Sequence, residues 1–230
     1  MEPIVIIKGK IKKRYDVWAN KLLAKHRRKK INNTNFSIIC NNCWGGYVYR
    51  YFGLAYLSPT IGLYINPKDF LLFLSDIKGY LEKPLQFINP QESKYYHELK
   101  KKNQLSIPIG KINNVEIVFL HYKSENEAYE KWNRRVSRVN YDNLIIKFSK
   151  MNNATIKELE AFDQLHFNKM FMFVNTPELT DQFQTAVYYK GQEDLNELKS
   201  DTIFYDKYID LYTLINSKKF PFKKKDDIYA

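Results

Sequence analysis

Phe36-Ser37-Ile38-Ile39-Cys40-Asn41-Asn42-Cys43-Trp44-Gly45-Gly46 carries a short β-rich run into a polar turn and then into a glycine pair. Tyr47–Phe52 follows as a short helix that Gly53 closes, since glycine accepts the left-handed conformation at a helix end. A strand that empties through a turn into a helix is the repeating unit of α/β folds. The rest of the chain repeats the theme. Ile61–Ile65, Leu85–Ile88, Ile107–Ile112, Val115–Leu120, Leu144–Phe148, Lys169–Val174 and Ala186–Tyr189 read as strands. Helices are expected from Pro67 through Leu74, over Glu92–Lys102, from a Ser124 cap to about Arg138, over Thr155–Leu165 and over Ile203–Ile215. Ser124-Glu125-Asn126-Glu127 has the form of a capping box. Such alternation implies a mixed β-sheet covered by helices on both faces, a three-layer α/β domain.

Upstream, residues 10–30 read as a basic helix with Ile11, Tyr15, Trp18 and Leu22 spaced at three and four. Asn32–Asn35 breaks it. The expected division is a basic arm over 1–34, one α/β domain over 35–215 and a frayed basic tail over 216–230. At 230 residues a core needs no disulfide or metal staple. Residues 1–30 hold eleven Lys/Arg against Glu2 and Asp16, a surplus of nine within a net charge of +12. The body is therefore nearly balanced, and a nucleic-acid partner is disfavoured because the excess sits in one arm with no binding motif behind it. The apolar stripe of the arm either packs on the body or lies on an anionic membrane surface, a peripheral contact through residues 10–30. Apolar runs such as Leu71–Leu74 fall far short of the ~18 residues that suggest a membrane span. With two cysteines and no secretory leader pattern, the expected location is cytoplasmic, peripheral at the inner face of the membrane.

In open α/β sheets, chemistry gathers where strands end and helices begin. Asn41, Asn42 and Cys43 form one such segment; His121, Tyr122 and Lys123 form another. A cysteine at a helix start feels the positive end of the helix dipole, which favours thiolate. A nearby histidine can hold that thiolate or act as base, with Gly45 and Gly46 amides or the Asn41 and Asn42 side chains as oxyanion donors. The competing reading is a buried structural Cys43 in a tight turn. Cys40-Asn41-Asn42-Cys43 is also a C-x-x-C, but Cys40 ends the strand and faces the core. A zinc site lacks ligands, because His26, His97, His121 and His166 are scattered. No metal site and no cofactor are expected. Arg134, Arg135 and Arg138 form a second polar patch, suited to a phosphate or carboxylate, or alternatively to surface pairing with nearby glutamates.

The blocks FSIICNNCWGGYVY (Phe36–Tyr49), RYFGLAYLSPTIGLYI (Arg50–Ile65) and FLHYKSENEAYEKWNRRVSRVNYDNLIIKF (Phe119–Phe148) resemble the bacterial family called domain of unknown function 1919. Its members are commonly labelled exopolysaccharide biosynthesis proteins. The likeness covers roughly residues 35–190 and implies a role in making capsule or another surface glycan. It maps Asn42, Cys43, Gly45, Gly46, His121, Trp132, Arg135, Arg138, Asn143 and Lys147 onto the family motif. Cys40 stands where relatives often carry serine, which weakens the dithiol reading. The order of Cys43 before His121 is also similar to papain-like hydrolases and acyltransferases, although the glutamine expected ahead of the cysteine is missing.

These readings combine into an expected transferase, by acyl transfer through a Cys–His site and a thioester, acting on an activated sugar or acyl donor and a glycan acceptor. Cys43 would be nucleophile, His121 base and Asn143 or Asp142 its orienting group. Asn41, Asn42, Gly45, Gly46, Lys123, Arg134, Arg135 and Arg138 would hold substrate or phosphate. Glycosyl transfer in the same pathway, with Cys43 structural, and a non-catalytic accessory role are the alternatives.

Overall fold

The structure, a computed structural model, describes residues 15, 18–20 and 22–219. Most of the expected tail and the first part of the arm, Ile11 included, lie outside the described residues.

The α/β expectation holds, and the parallel and antiparallel pairings separate into two sheets. Strands β1 (Ser37–Cys40), β6 (Leu144–Ser149), β7 (Met170–Val174) and β8 (Ala186–Tyr188) form an all-parallel sheet in that order. Strands β2 (Tyr64–Ile65), β5 (Val115–Val118), β4 (Ile109–Ile112) and β3 (Gln86–Ile88) form an antiparallel sheet. The Ile65 N–H donates to the Asn41 carbonyl at 3.1 Å, so the antiparallel sheet starts where β1 runs out. Two separate sheets follow from what each strand can reach. The β4–β5 pair closes through the two-residue turn Asn113-Asn114, with Asn113 at φ 52°. That left-handed value is one the short asparagine side chain tolerates.

Alternation along the parallel strands sends Ile39, Ile146, Phe148 and Met172 to one face and Ile38, Cys40, Ile145, Phe171 and Phe173 to the other. The period of two explains the pattern, and burial on both faces explains why the strands read as continuous apolar runs. Helices α2 (Pro67–Ser75) and α6 (Ile156–Asp163) contribute Phe70, Phe73, Leu159 and Phe162 to the first face. Helix α1 (Trp44–Phe52) and helix α8 (Leu211–Asn216) contribute Trp44, Val48, Phe52 and Leu214 to the second. The far side of the antiparallel sheet buries Tyr64, Ile109 and Val118 with Leu99 of α4 (Tyr96–Lys101). Helices α3 (Ile77–Leu81), α5 (Glu125–Val136) and α7 (Glu178–Gln182) complete the α-helices described after the arm.

Several strands are shorter than the sequence reading, as Tyr64–Ile65 is against Ile61–Ile65, and three helix boundaries differ with a clear cause. The last helix is Leu211–Asn216 and not Ile203–Ile215, because residues 189–210 are largely turns whose apolar members, Tyr205 and Ile209, are buried without being helical. Asp210 instead caps the short helix, accepting from the Tyr212 N–H at 3.0 Å. Helix α5 stops at Val136, leaving Arg138 beyond it. Helix α1 starts at Trp44, earlier than the Tyr47 expected, because Gly45 carries no side chain: a Cβ there would lie 3.2 Å from Ile38 Cγ2 and 3.3 Å from Cys40 Sγ.

The described part of the arm is helical and packs its inner face on the end of α1. Arg27 stacks 3.8 Å over the Tyr51 ring, and Arg28 donates to the Gly53 carbonyl at 2.9 Å. Gly53 sits at φ 62° as expected of the cap, and a Cβ on it would lie 2.8 Å from the Ala24 Cβ. Gly53→Ala should therefore lower stability by about 1–2 kcal/mol through the left-handed backbone, with crowding against the arm added, read as a fall in Tm. An unchanged Tm would show that the arm is not seated on this turn.

Candidate functional site

Helix α1 builds one wall of a cleft. Cys43, Gly46, Tyr47, Arg50 and Leu54 recur at three- and four-residue spacing, so they share one helical face, and all line it. Tyr56, Ile61 and Gly62 of the next loop, His121 and Tyr122 after β5, and Lys131 and Arg135 one turn apart on α5 complete the lining, with Asn20 of the arm at its edge. The volume is about 700 Å³, within the range of small-molecule sites. Cys43 and His121 thus do line one cleft, as the two-segment reading anticipates. His121 is exposed there, its backbone N–H fixed to the Gly62 carbonyl at 2.9 Å.

Cys43 is not the poised thiolate the helix start suggests. Its Sγ–H donates to the Leu63 carbonyl at 3.6 Å. Burial, and after it the Asp201 carboxylate, push the thiol up to about 12, against weaker opposition from Lys147 and Arg50. The helix dipole is outweighed because a charge moved into a poorly solvated site loses more than one short helix returns. Cys40 is fully buried and likewise raised to about 12, by burial first. Both cysteines are free. Among the described residues no group of three or more His, Cys, Asp or Glu suits a metal ion.

The expected oxyanion donors are occupied elsewhere. Asn41 is buried and pairs with Ser149 as a strand would, donating to its carbonyl at 3.0 Å and accepting from its N–H at 2.9 Å. Asn42 turns inward: its Oδ1 accepts from the Trp44 N–H at 3.1 Å and its Nδ2 donates to both Asp201 oxygens, at 3.1 and 3.0 Å. Of the glycine amides, Gly45 bonds the Cys40 sulfur and Gly46 donates to the Cys43 carbonyl at 3.2 Å. Asn143 sits at the opposite end of the parallel sheet, before β6, bonded to the Asn35 carbonyl at 3.0 Å and to Lys169 at 3.1 Å. It does not reach His121, and neighbouring Asp142 opens the same distant turn.

The arginine trio also divides. Arg135 is buried, donating to the Tyr122 hydroxyl and to the Ile61 carbonyl (the latter at 3.2 Å), 5.0 Å over the Tyr56 ring. Arg134 and Arg138 are exposed and outside the cleft lining, as is Lys123. The pair that points together is Lys131 and Arg135. Sequence reasoning matched four-residue spacing to the wrong pair, and it missed Arg50, whose guanidinium stands 4.3 Å over Tyr47. The signal was available in the 43, 46, 47, 50 spacing of α1. Lys131 is shared with Glu127 at 2.5 Å. No carboxylate is among the described lining residues, so the cleft is cationic and lined with tyrosine.

Behind this wall lies a group of which the family resemblance marks Lys147 and Asn42, while nothing in the sequence marks Asp201. Lys147 and Asp201 form an ion pair with side chains 0% and 1% exposed, joined by Ser149 and Asn42.

No helix among the described residues is long and apolar enough to cross a membrane. The chain is 34% identical over 198 residues to a Haemophilus influenzae protein named only as uncharacterized, covering 86% of this chain and 87% of that one. A family model matches residues 15–217, a span that takes in the arm helix, every cleft residue and Asp201. The chain accordingly belongs to the family described as domain of unknown function (DUF1919).

Proposed function

We propose that the cleft binds a phosphate-bearing donor, a nucleoside diphosphate sugar by class, and that the protein transfers the glycosyl group to an acceptor hydroxyl in surface-polysaccharide synthesis. The observation that carries this reading is a cleft of about 700 Å³ in which Arg50, Lys131 and Arg135 meet Tyr47, Tyr56 and Tyr122 with no lining carboxylate. Guanidinium and ammonium groups favour a diphosphate, and tyrosine rings give a base or sugar ring a surface to stack on. In the step itself, an acceptor oxygen attacks the anomeric carbon as the bond to the diphosphate breaks. His121, exposed in the cleft, takes the acceptor's proton, and the cations hold the charge left on the diphosphate. Acyl transfer through Cys43 is the weaker route, because its thiol is held protonated. The polysaccharide setting comes from the family resemblance, and a nucleotide donor places the work in the cytoplasm, where such donors are made.

The test is calorimetric titration with UDP, GDP and CDP, their sugars and the bare nucleosides. One diphosphate should bind and the nucleosides should not. Arg50→Ala and Lys131→Ala should each weaken that binding by roughly 5–30-fold, the loss of one charge-assisted hydrogen bond of about 1–2 kcal/mol. Absence of binding by every diphosphate at millimolar concentration would sink the reading.

A further inference from the structure

The arm helix has two faces, and only one belongs to the body. Ala19 is 0% exposed, Arg27 and Arg28 reach Tyr51 and Gly53, and Asn20 edges the cleft. On the other side Tyr15 is 56%, Trp18 60% and Leu22 61% exposed. Spacing of three and four puts these three and Lys25 on one face, and Lys25, Lys29 and Lys30 are all exposed. Of the two readings the sequence leaves for the stripe, packing on the body does not hold for Tyr15, Trp18 and Leu22, which turn to solvent. An aromatic-aliphatic stripe beside lysines is the make-up of a helix that lies in a bilayer interface.

We propose that this outer face docks on an anionic lipid surface. Charge selects the occupant. From position 17 to position 68 the sequence holds no Asp or Glu, while the arm carries Lys21, Lys25, Arg27, Arg28, Lys29 and Lys30, so the arm presents a strong excess of positive charge. A second copy of the chain would bring the same charge and be repelled, whereas an anionic leaflet attracts each lysine. Nucleic acid would satisfy the charge but leaves Leu22 and the Trp18 edge without an apolar environment to enter. Docking also sets a geometry. With one face on lipid and the other at the cleft, the helix holds the cleft about one helix diameter, ~10 Å, from the headgroups. The inference stands on the arm alone and does not require the ligand proposed for the cleft.

Trp18 supplies the readout, because Trp44 and Trp132 are buried and Trp18 alone of the three tryptophans is exposed. The full chain is mixed with phosphatidylglycerol-phosphatidylcholine vesicles and with phosphatidylcholine vesicles. Expected are a blue shift of fluorescence and co-sedimentation on the anionic vesicles, both weakened at high salt. Trp18→Ser with Leu22→Ser should reduce co-sedimentation by roughly tenfold or more without lowering Tm. Lys25→Glu with Lys29→Glu should do the same on anionic vesicles. No vesicle binding by the unaltered chain overturns the proposal, as does a dimer in solution that the Trp18→Ser/Leu22→Ser chain fails to form, or retention on DNA without vesicle binding. Diphosphate binding in the same preparation reports separately on the cleft.

Discussion

Asp201→Ala should destabilise the protein by about 3–5 kcal/mol, a fall of roughly 6–20 °C in Tm for a chain of this size. The carboxylate lies 1% exposed against a lysine at 0%, and its removal leaves the Lys147 ammonium buried with only the Ser149 and Asn42 oxygens to face. The loss arises chiefly from that stranded charge and not from the attraction forgone. Lys147→Met/Asp201→Leu should consequently recover most of it, because an apolar pair strands nothing. Urea denaturation followed by circular dichroism measures both, and a loss below about 1 kcal/mol in Asp201→Ala would show that water reaches the pair. Burial pushes the Asp201 carboxyl up, but the Lys147 ammonium and hydrogen bonds from Ser149 and Asn42 prevail and hold it below its ordinary value. A carboxyl lowered on folding contributes fully above its unfolded value, ~3.9, and loses that contribution as pH falls through the folded value. Acid should therefore erode the native protein more steeply than the Asp201→Asn variant.

Cys43 should resist alkylation. With its thiol pushed up to about 12, the ionised fraction at pH 8 is on the order of one in ten thousand, against roughly a quarter for an ordinary cysteine near 8.5. Iodoacetamide should accordingly modify Cys43 at least about a thousandfold more slowly in the folded protein than in urea, because the thiolate is the reacting species. Mass spectrometry on a Cys40→Ser chain isolates the signal. Labelling within tenfold of the unfolded rate would restore the nucleophile reading and, with it, acyl transfer.

What could be read in advance was what depends on neighbours in sequence. Ser124 does accept from the Glu127 N–H at 3.2 Å, although Glu127 reaches back to the Lys123 N–H, one residue before the cap. Gly53 does close α1 in the left-handed conformation. Cys43 and His121 could each be read as a strand exit, but that they line one cleft shows only in the fold, since they follow strands of different sheets. Partners far apart in sequence could not be read. The division into two sheets rests on strand pairing, which no local pattern encodes. Asn41 and Asn42 look like free polar groups in a list of residues; only the arrival of Ser149 and Asp201 shows them bound. Asp201 itself sits in turns that carry no periodicity to mark it.

The placement of the antiparallel sheet bears on how the chain is made. Ser37 of β1 pairs with Leu144 of β6, 107 positions later, and everything from Asn41 to Asn143 lies between them. During synthesis β1 leaves the ribosome long before β6, its one strand partner among the described residues, exists, with apolar side chains bound for both faces. The inserted sheet can close locally, since β4 and β5 are joined by a tight turn. The parallel sheet cannot, so its assembly belongs to the end of translation, when β6, β7 and β8 follow in quick succession. A chain cut short before Leu144 keeps a bare, buried-type strand edge, the kind of surface that chaperones hold and that aggregates capture.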